Sequence, residues 1–213
     1  MNSDSSNVVR IAAICLAGTS LFAVSKMTDA QSPAVVAADA AMCAACHGLR
    51  GEGNSSGAPR LAGQNTDYMV HALSLFKTGA RKSATMQPVA AGLSDGQMRA
   101  LAFHFSRQAA SVPKADVAFS PALVPAGKQL AETGAANLAP CFSCHGAKGL
   151  GTGARFPGIA GQPAQFVLDR LHEFQARARN AVPRPGTMTA VAATMSESQV
   201  QAAAAYLAQA GGR

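Results

Sequence analysis

The tightest constraint on this chain is a five-residue pattern that it carries twice, Cys-x-x-Cys-His, at Cys43–His47 and again at Cys141–His145. Two thiols beside an imidazole in this spacing match covalent haem attachment, in which the thiols add to the two vinyl groups of one porphyrin and the histidine reaches its iron. A chain with two such segments has to fold around two bulky planar groups. Other chemistries fit less well. One tetrahedral zinc ion would have to be shared between both motifs and would leave the adjacent histidines unused. A thioredoxin-like thiol pair belongs with alternating strands and helices, which the sequence lacks. A disulfide across so short a loop would add little constraint.

The whole chain follows the same duplication. Cys43, His47, Pro59, Gly63 and Gln64 recur 98 residues later as Cys141, His145, Pro157, Gly161 and Gln162. Leu61-Ala62-Gly63-Gln64 becomes Ile159-Ala160-Gly161-Gln162, and Tyr68, Phe76 and Arg81 become Phe166, Phe174 and Arg179. Four extra residues around Val182–Gly186 then move the offset to 102, which pairs Met86 with Met188, Ser94 with Ser196 and Gln97 with Gln199. A repeat of this length predicts two copies of one structural unit.

Each copy reads as three helices joined by long loops, so the fold class is all-α. The first helix ends in the Cys-His motif, near Val36–Cys46 and near Ala126–Cys144, the latter interrupted by Gly134 and Pro140. The second runs near Asn65–Thr78 and Pro163–Arg179, with Pro163 suited to a first helical turn. Its apolar positions are Met69, Leu73 and Phe76, or Phe166, Leu171 and Phe174, at helical spacing. The third opens with Ser94-x-x-Gln97 or Ser196-x-x-Gln199, both of capping-box form. Met98, Leu101, Ala102 and Phe105, and likewise Val200, Ala203, Ala204 and Leu207, make its inward stripe. Between motif and second helix, Gly48, Gly51 and Gly53, with Gly146, Gly149, Gly151 and Gly153, let the backbone approach a bulky group. Pro59 and Pro157 close these loops, where a carbonyl can accept the proton of the histidine's other ring nitrogen.

The 213 residues suffice for two small domains. With no Trp and only Tyr68 and Tyr206, a protein-only core would be short of bulk, and two buried haems would supply it. The first thirty residues read as an export signal: Ile11 to Val24 is mostly apolar, and Thr28-Asp29-Ala30 offers small residues for cleavage after Ala30. Cys15 would leave with it. No apolar run reaches the roughly 18 residues of a membrane-spanning helix, so membrane association is peripheral at most. The expected organisation is a signal peptide at 1–30, a first domain at 31–115 and a second at 116–213. The linker is expected at about 109–125, where three prolines occur without a clear period. Beyond residue 30 there are 16 basic and 9 acidic residues, a mildly basic surface that suits either docking to an acidic partner or plain solvation. The basic residues are scattered, which argues against nucleic acid as a partner.

If the motif histidines His47 and His145 take a fifth iron position, the sixth decides between electron transfer and catalysis. Met86 and Met188 are the candidates, because they match in the repeat and each lies eight residues before a capping serine. Met69, Met98 and Met195 read as packing methionines. His71, His104 and His172 are rivals without repeat counterparts, opposite Asp169, Tyr206 and Ser74, and read as surface or helix-flank residues.

Taken together, Cys-x-x-Cys-His-Gly, the Gly-rich loop, Pro-x-Leu-Ala-Gly-Gln, the loop methionine and the helix start Leu93-Ser94-Asp95 resemble the cytochrome c4 family, over about residues 36–210. The resemblance implies two tandem class I cytochrome c domains, each wrapped around one covalently bound haem c, in a periplasmic electron carrier rather than an enzyme. Carried onto this sequence, it implies thioether links at Cys43, Cys46, Cys141 and Cys144, and axial pairs His47 with Met86 and His145 with Met188. The donor would be a quinol-oxidising complex or a dehydrogenase, and the acceptor a terminal oxidase. A second reading is the cytochrome subunit of a periplasmic dehydrogenase, such as a flavoprotein oxidising sulfide. A two-haem peroxidase would need one sixth position open, which the paired methionines oppose.

Overall fold

The computed structural model describes residues 33–109 and 119–211. The expected signal peptide at 1–30 lies outside those residues, as does most of the expected linker. The described residues are helical and contain no strand; the nearest approach to one is an isolated antiparallel bridge between Ala135 and Leu138. None of their helices is long and apolar enough to cross a membrane.

The first copy contains α1 (Pro33–His47), α2 (Thr66–Lys77), α3 (Met86–Ala91) and α4 (Asp95–Ser106). The second contains α5 (Val124–Glu132), α6 (Cys141–His145), α7 (Ala164–Asn180), α8 (Met188–Ala193) and α9 (Glu197–Gln209). Local chemistry sets the helix starts. Asn65 caps α2 by accepting the Tyr68 N–H at 3.0 Å. Ser94 accepts the Gln97 N–H at 3.2 Å while its own N–H reaches the Gln97 side chain at 3.0 Å. Ser196 and Gln199 repeat this exchange at 3.3 and 2.9 Å. The two boxes satisfy backbone donors that the first helical turn leaves open.

Both expected stripes are buried. Met98, Leu101, Ala102 and Phe105 of α4 pack with Ala40, Met69 and Leu93. Val200, Ala203, Ala204 and Leu207 of α9 pack with Leu130, Val167 and Leu171. Alpha5 runs close along α9, because Gly127 leaves no side chain between them.

The motif helix is continuous in the first copy and broken in the second, where the sequence places its interruption: Gly134 takes φ +83°, and Pro140 has no N–H to extend α6 backwards. Three details differ from the sequence expectation. Residues 121–125 of the expected linker are helical, a 3-10 turn at Pro121–Leu123 leading into α5. Pro163 stands just before α7 in an extended conformation, φ −52° and ψ 136°, rather than in its first turn. Met86 and Met188 open the short helices α3 and α8 rather than lying in open loops. Six residues are too few for a periodic signal. At the start of α3, Ser83 accepts the Met86 N–H at 3.1 Å and the Gln87 side chain accepts the Ser83 N–H at 3.1 Å; at that of α8, Thr187 accepts the Ala190 N–H at 3.3 Å.

The copies meet through their Pro-x-Leu/Ile-Ala-Gly-Gln segments, related by an approximate two-fold axis. The Gln64 side chain donates to the Gly158 carbonyl and accepts the Gly158 N–H, both at 2.9 Å. The Gln162 side chain does the same to Arg60, accepting its N–H at 2.9 Å and donating to its carbonyl at 3.1 Å. Arg60 and Gly158 are themselves repeat partners, so the four bonds form a symmetric pair of clamps. The symmetry breaks at the Arg60 side chain, whose Nη2 donates to the Ala160 carbonyl at 2.5 Å, while Gly158 has nothing to reciprocate.

Candidate functional site

The histidine of each Cys-His motif is buried and already oriented. His47 is 7% exposed and His145 5%. The Nδ1 of His47 lies 2.8 Å from the Pro59 carbonyl, and that of His145 lies 2.8 Å from the Pro157 carbonyl. A carbonyl only accepts, so Nδ1 carries the proton and Nε2 keeps its lone pair. Burial lowers the pKa of both rings, against a smaller upward pull from the proline carbonyls, which favours the neutral form. A neutral imidazole with Nε2 free and Nδ1 tied back is the form that binds a metal.

The loops that set this geometry are copies of one another. The carbonyl of His47 accepts the Gly53 N–H at 2.7 Å, and that of His145 accepts the Gly151 N–H at 2.7 Å. The Gly51 carbonyl takes the N–H groups of both Leu61 and Ala62, and the Gly149 carbonyl those of Ile159 and Ala160. Gly51 has φ +76°, and a Cβ on it would come within 2.8 Å of the Phe105 ring, so both conformation and space call for glycine. The side chain of Asn54 reaches the Cys46 carbonyl at 2.8 Å, and its counterpart Thr152 reaches the Cys144 carbonyl at 3.1 Å.

Cys43, Cys46, Cys141 and Cys144 are all free thiols. Cys43 and Cys141 are half-buried and burial raises their pKa, while Cys46 and Cys144 are exposed. Among the described residues there is no group of three or more His, Cys, Asp and Glu side chains placed to hold a metal ion. Two unbridged thiols beside a buried, tied-back imidazole, built twice, suit a porphyrin attached through sulfur with its iron taken by Nε2.

Met86 and Met188 are half-buried, at the first positions of α3 and α8, and these short helices pack on α2 and α7. Met188 also touches the second core. Met69, Met98 and Met195 are buried in the cores. Of the rival histidines, His71 is exposed, His104 contacts Gln108 at 3.4 Å, and His172 pairs with Glu197 at 2.8 Å on the surface.

The sequence reading missed the charged lining of the seam between the copies. Arg60 is only 7% exposed, and its Nε is buried without a hydrogen-bond partner. Desolvation lowers its pKa. Arg170, on α7, stacks on Phe174 at 4.6 Å and pairs with Glu173. Its pKa is lowered by burial and by Arg81 of the first copy, and Glu173 and Tyr68 pull it back up. The repeat-matched glutamines were visible in the sequence, but nothing there indicated that each reaches into the other copy.

The sequence pattern of the cytochrome c family matches residues 34–110 and 124–211. A thiosulfate dehydrogenase electron acceptor of Stutzerimonas stutzeri is 40% identical over 173 residues, covering 79% of either chain. Cytochrome c4 of Pseudomonas aeruginosa is 33% identical over 173 residues, covering 80% of this chain and 84% of the relative. The crystal structure of reduced cytochrome c4 from Pseudomonas stutzeri superposes with a TM-score of 0.73 at 30% identity, covering 85% of this chain and 100% of that one.

Proposed function

This chain belongs to the cytochrome c family, in the two-domain form of cytochrome c4, and from that premise we propose which residues hold its haems and which proteins it serves. It is an electron-transfer protein with two covalently bound haem c groups, not an enzyme. Cys43 and Cys46 carry the thioether bonds to the first haem, and Cys141 and Cys144 those to the second. His47 with Met86, and His145 with Met188, ligate the two irons. The domains divide near residue 115. The observation that carries this assignment is the buried imidazole tied to a proline carbonyl beside two free thiols, formed twice with the same bond lengths.

Bound haem supplies the one-electron chemistry, its iron alternating between two oxidation states. The chain sets the energy of that change. Pro59 and Pro157 hold the imidazole protons and so fix ring orientation and basicity. A methionine thioether is a soft ligand that favours the reduced metal and raises the potential. Held on the iron, Met86 or Met188 would also keep peroxide and oxygen away.

The chain acts with redox protein partners, as its relatives do. We take the donor to be a periplasmic dehydrogenase. Relatives named as electron acceptors of thiosulfate dehydrogenase support a donor of that kind. A quinol-oxidising complex as the other donor, and a terminal oxidase as the acceptor, are what the resemblance to cytochrome c4 implies. The compartment is the periplasm, with residues 1–30 as the export signal. The test is to produce the chain in a bacterium able to attach haem c and to digest it. Peptides containing Cys43–His47 and Cys141–His145 should each carry one haem mass. Thiosulfate with a purified thiosulfate dehydrogenase should then reduce the holoprotein faster than a quinol-oxidising complex does. Bare peptides would sink the ligand assignment, and the opposite order of rates would sink the donor.

A further inference from the structure

The two glutamines of the interdomain clamp bond to a particular peptide in the opposite domain. The Gln162 side-chain oxygen accepts the N–H of Arg60 at 2.9 Å. That N–H belongs to the Pro59–Arg60 peptide, whose carbonyl accepts the His47 Nδ1 proton at 2.8 Å. In mirror fashion the Gln64 oxygen accepts the Gly158 N–H at 2.9 Å, and the same peptide's Pro157 carbonyl accepts the His145 proton at 2.8 Å. Each glutamine also donates to the carbonyl of the same residue, Arg60 or Gly158, in the peptide that follows, so the backbone beside the histidine support is held at two points. Gln64 is 6% exposed and Gln162 4%, so water does not compete for these bonds.

We propose that Gln64 and Gln162 are positioning residues acting across the domain boundary, each bracing and polarising the peptide that supports the other domain's iron-binding histidine. A hydrogen bond received at a peptide oxygen strengthens when the N–H of the same peptide is itself donating, because the bonds polarise one another. Gln162 therefore makes the Pro59 carbonyl a stronger acceptor for His47, and Gln64 does so for His145. A more strongly held Nδ1 proton makes the imidazole a more basic ligand, which favours oxidised iron. Each domain thus lowers the potential of its neighbour's haem through one side chain. The proposal rests on His47 and His145 being the iron ligands.

The test uses the haem-loaded full chain, first established to hold two haems with the weak red absorption band of methionine–iron bonds. Absence of haem or of that band in the unmutated protein would sink the ligand assignment rather than the brace. Gln162→Met and Gln64→Met keep side-chain volume and lose both hydrogen bonds to the opposite domain, and Gln64→Met also loses the bond it accepts from the Asn65 N–H at 3.0 Å. The two midpoint potentials are measured by spectroelectrochemistry. Each is assigned to its domain from hyperfine-shifted NMR signals and their contacts with neighbouring protons. The expected pattern is crossed: Gln162→Met raises the potential of the first domain's haem more than the second's, and Gln64→Met the reverse. A larger shift in the mutated residue's own domain, equal shifts in both, or no shift would overturn the proposal. If either methionine variant fails to assemble, Gln162→Glu and Gln64→Glu decide, because they keep the oxygen that receives the peptide N–H. The opposite domain's haem should then stay at or below its original potential, and a rise there would be equally fatal.

Discussion

Replacing Gly127 by alanine tests how tightly the second domain is built. A Cβ at this position would overlap the Ala202 carbonyl oxygen of α9 and approach the Ala202 carbon to 2.7 Å and the Tyr206 Cβ to 2.6 Å. Carbon atoms in contact sit about 3.5–4.0 Å apart, so α5 and α9 would have to part by roughly 1 Å. The obstacle is helix backbone, which cannot swing aside as a side-chain tip can. Parting the helices thins the packing of Leu130, Ala131 and Ala203 beside the contact. Overpacking of this kind costs about 3 kcal/mol at the severe end of its range. Alanine returns about 1 kcal/mol through its higher helix propensity. A net loss of about 2 kcal/mol lowers the melting temperature by about 10 °C if the second domain melts alone, and about 6 °C if both melt together. The control is Gly92→Ala. Gly92 has φ −77°, and its nearest neighbour would be the Val89 carbonyl oxygen at an ordinary 3.7 Å. There, alanine should stabilise the protein by about 0.4–1 kcal/mol, by restricting the unfolded chain. Thermal melts of the oxidised holoprotein, followed by far-ultraviolet circular dichroism, would read both. If Gly127→Ala melted within about 2 °C of the parent, a third of the smaller expected shift, the steric reasoning would be wrong.

Met188→Ala should lower the potential of the second haem selectively and open its iron to carbon monoxide; unchanged carbon monoxide binding would remove Met188 from the ligand set. Arg60→Met takes a buried positive charge from beside both histidine supports and should lower both midpoint potentials, read by spectroelectrochemistry. Two unmoved potentials would mean that this charge is fully screened. Ser94→Ala and Ser196→Ala each remove one half of a capping box and should cost about 1 kcal/mol in denaturant titration, with no change in either potential.

Much of this molecule could be read from its sequence because the signals were local and duplicated. The stripes of α4 and α9 follow from periodicity, and their starts from Ser-x-x-Gln, a pattern whose two hydrogen bonds lie within one helical turn. The proline carbonyl behind each motif histidine was also legible, since only twelve residues separate them and the loop has little freedom. Short helices were not: α3 and α8 have six residues each, too few for a period, and α8 begins on a single threonine contact. The break between α5 and α6 was half visible in Gly134 and Pro140. The bonds from Gln64 to Gly158 and from Gln162 to Arg60 span 94 and 102 residues, and no local rule foretells them. The orphaned Nε of Arg60 was hidden for the same reason: in sequence, arginine between proline and leucine looks like an ordinary surface residue.

A tandem duplication that folds face to face brings the neighbourhood of its axis up against its own twin. Glutamine tolerates this, because an amide both gives and receives, and two copies can each serve the other's backbone. Arginine does not, because a second guanidinium here would bury two like charges in one crevice with no carboxylate to separate them. Glycine at position 158 is what allows the symmetric arrangement to close around a single cation. Any further divergence of the halves meets the same rule: self-complementary groups can stay paired on the axis, and self-repelling ones can survive in one copy alone.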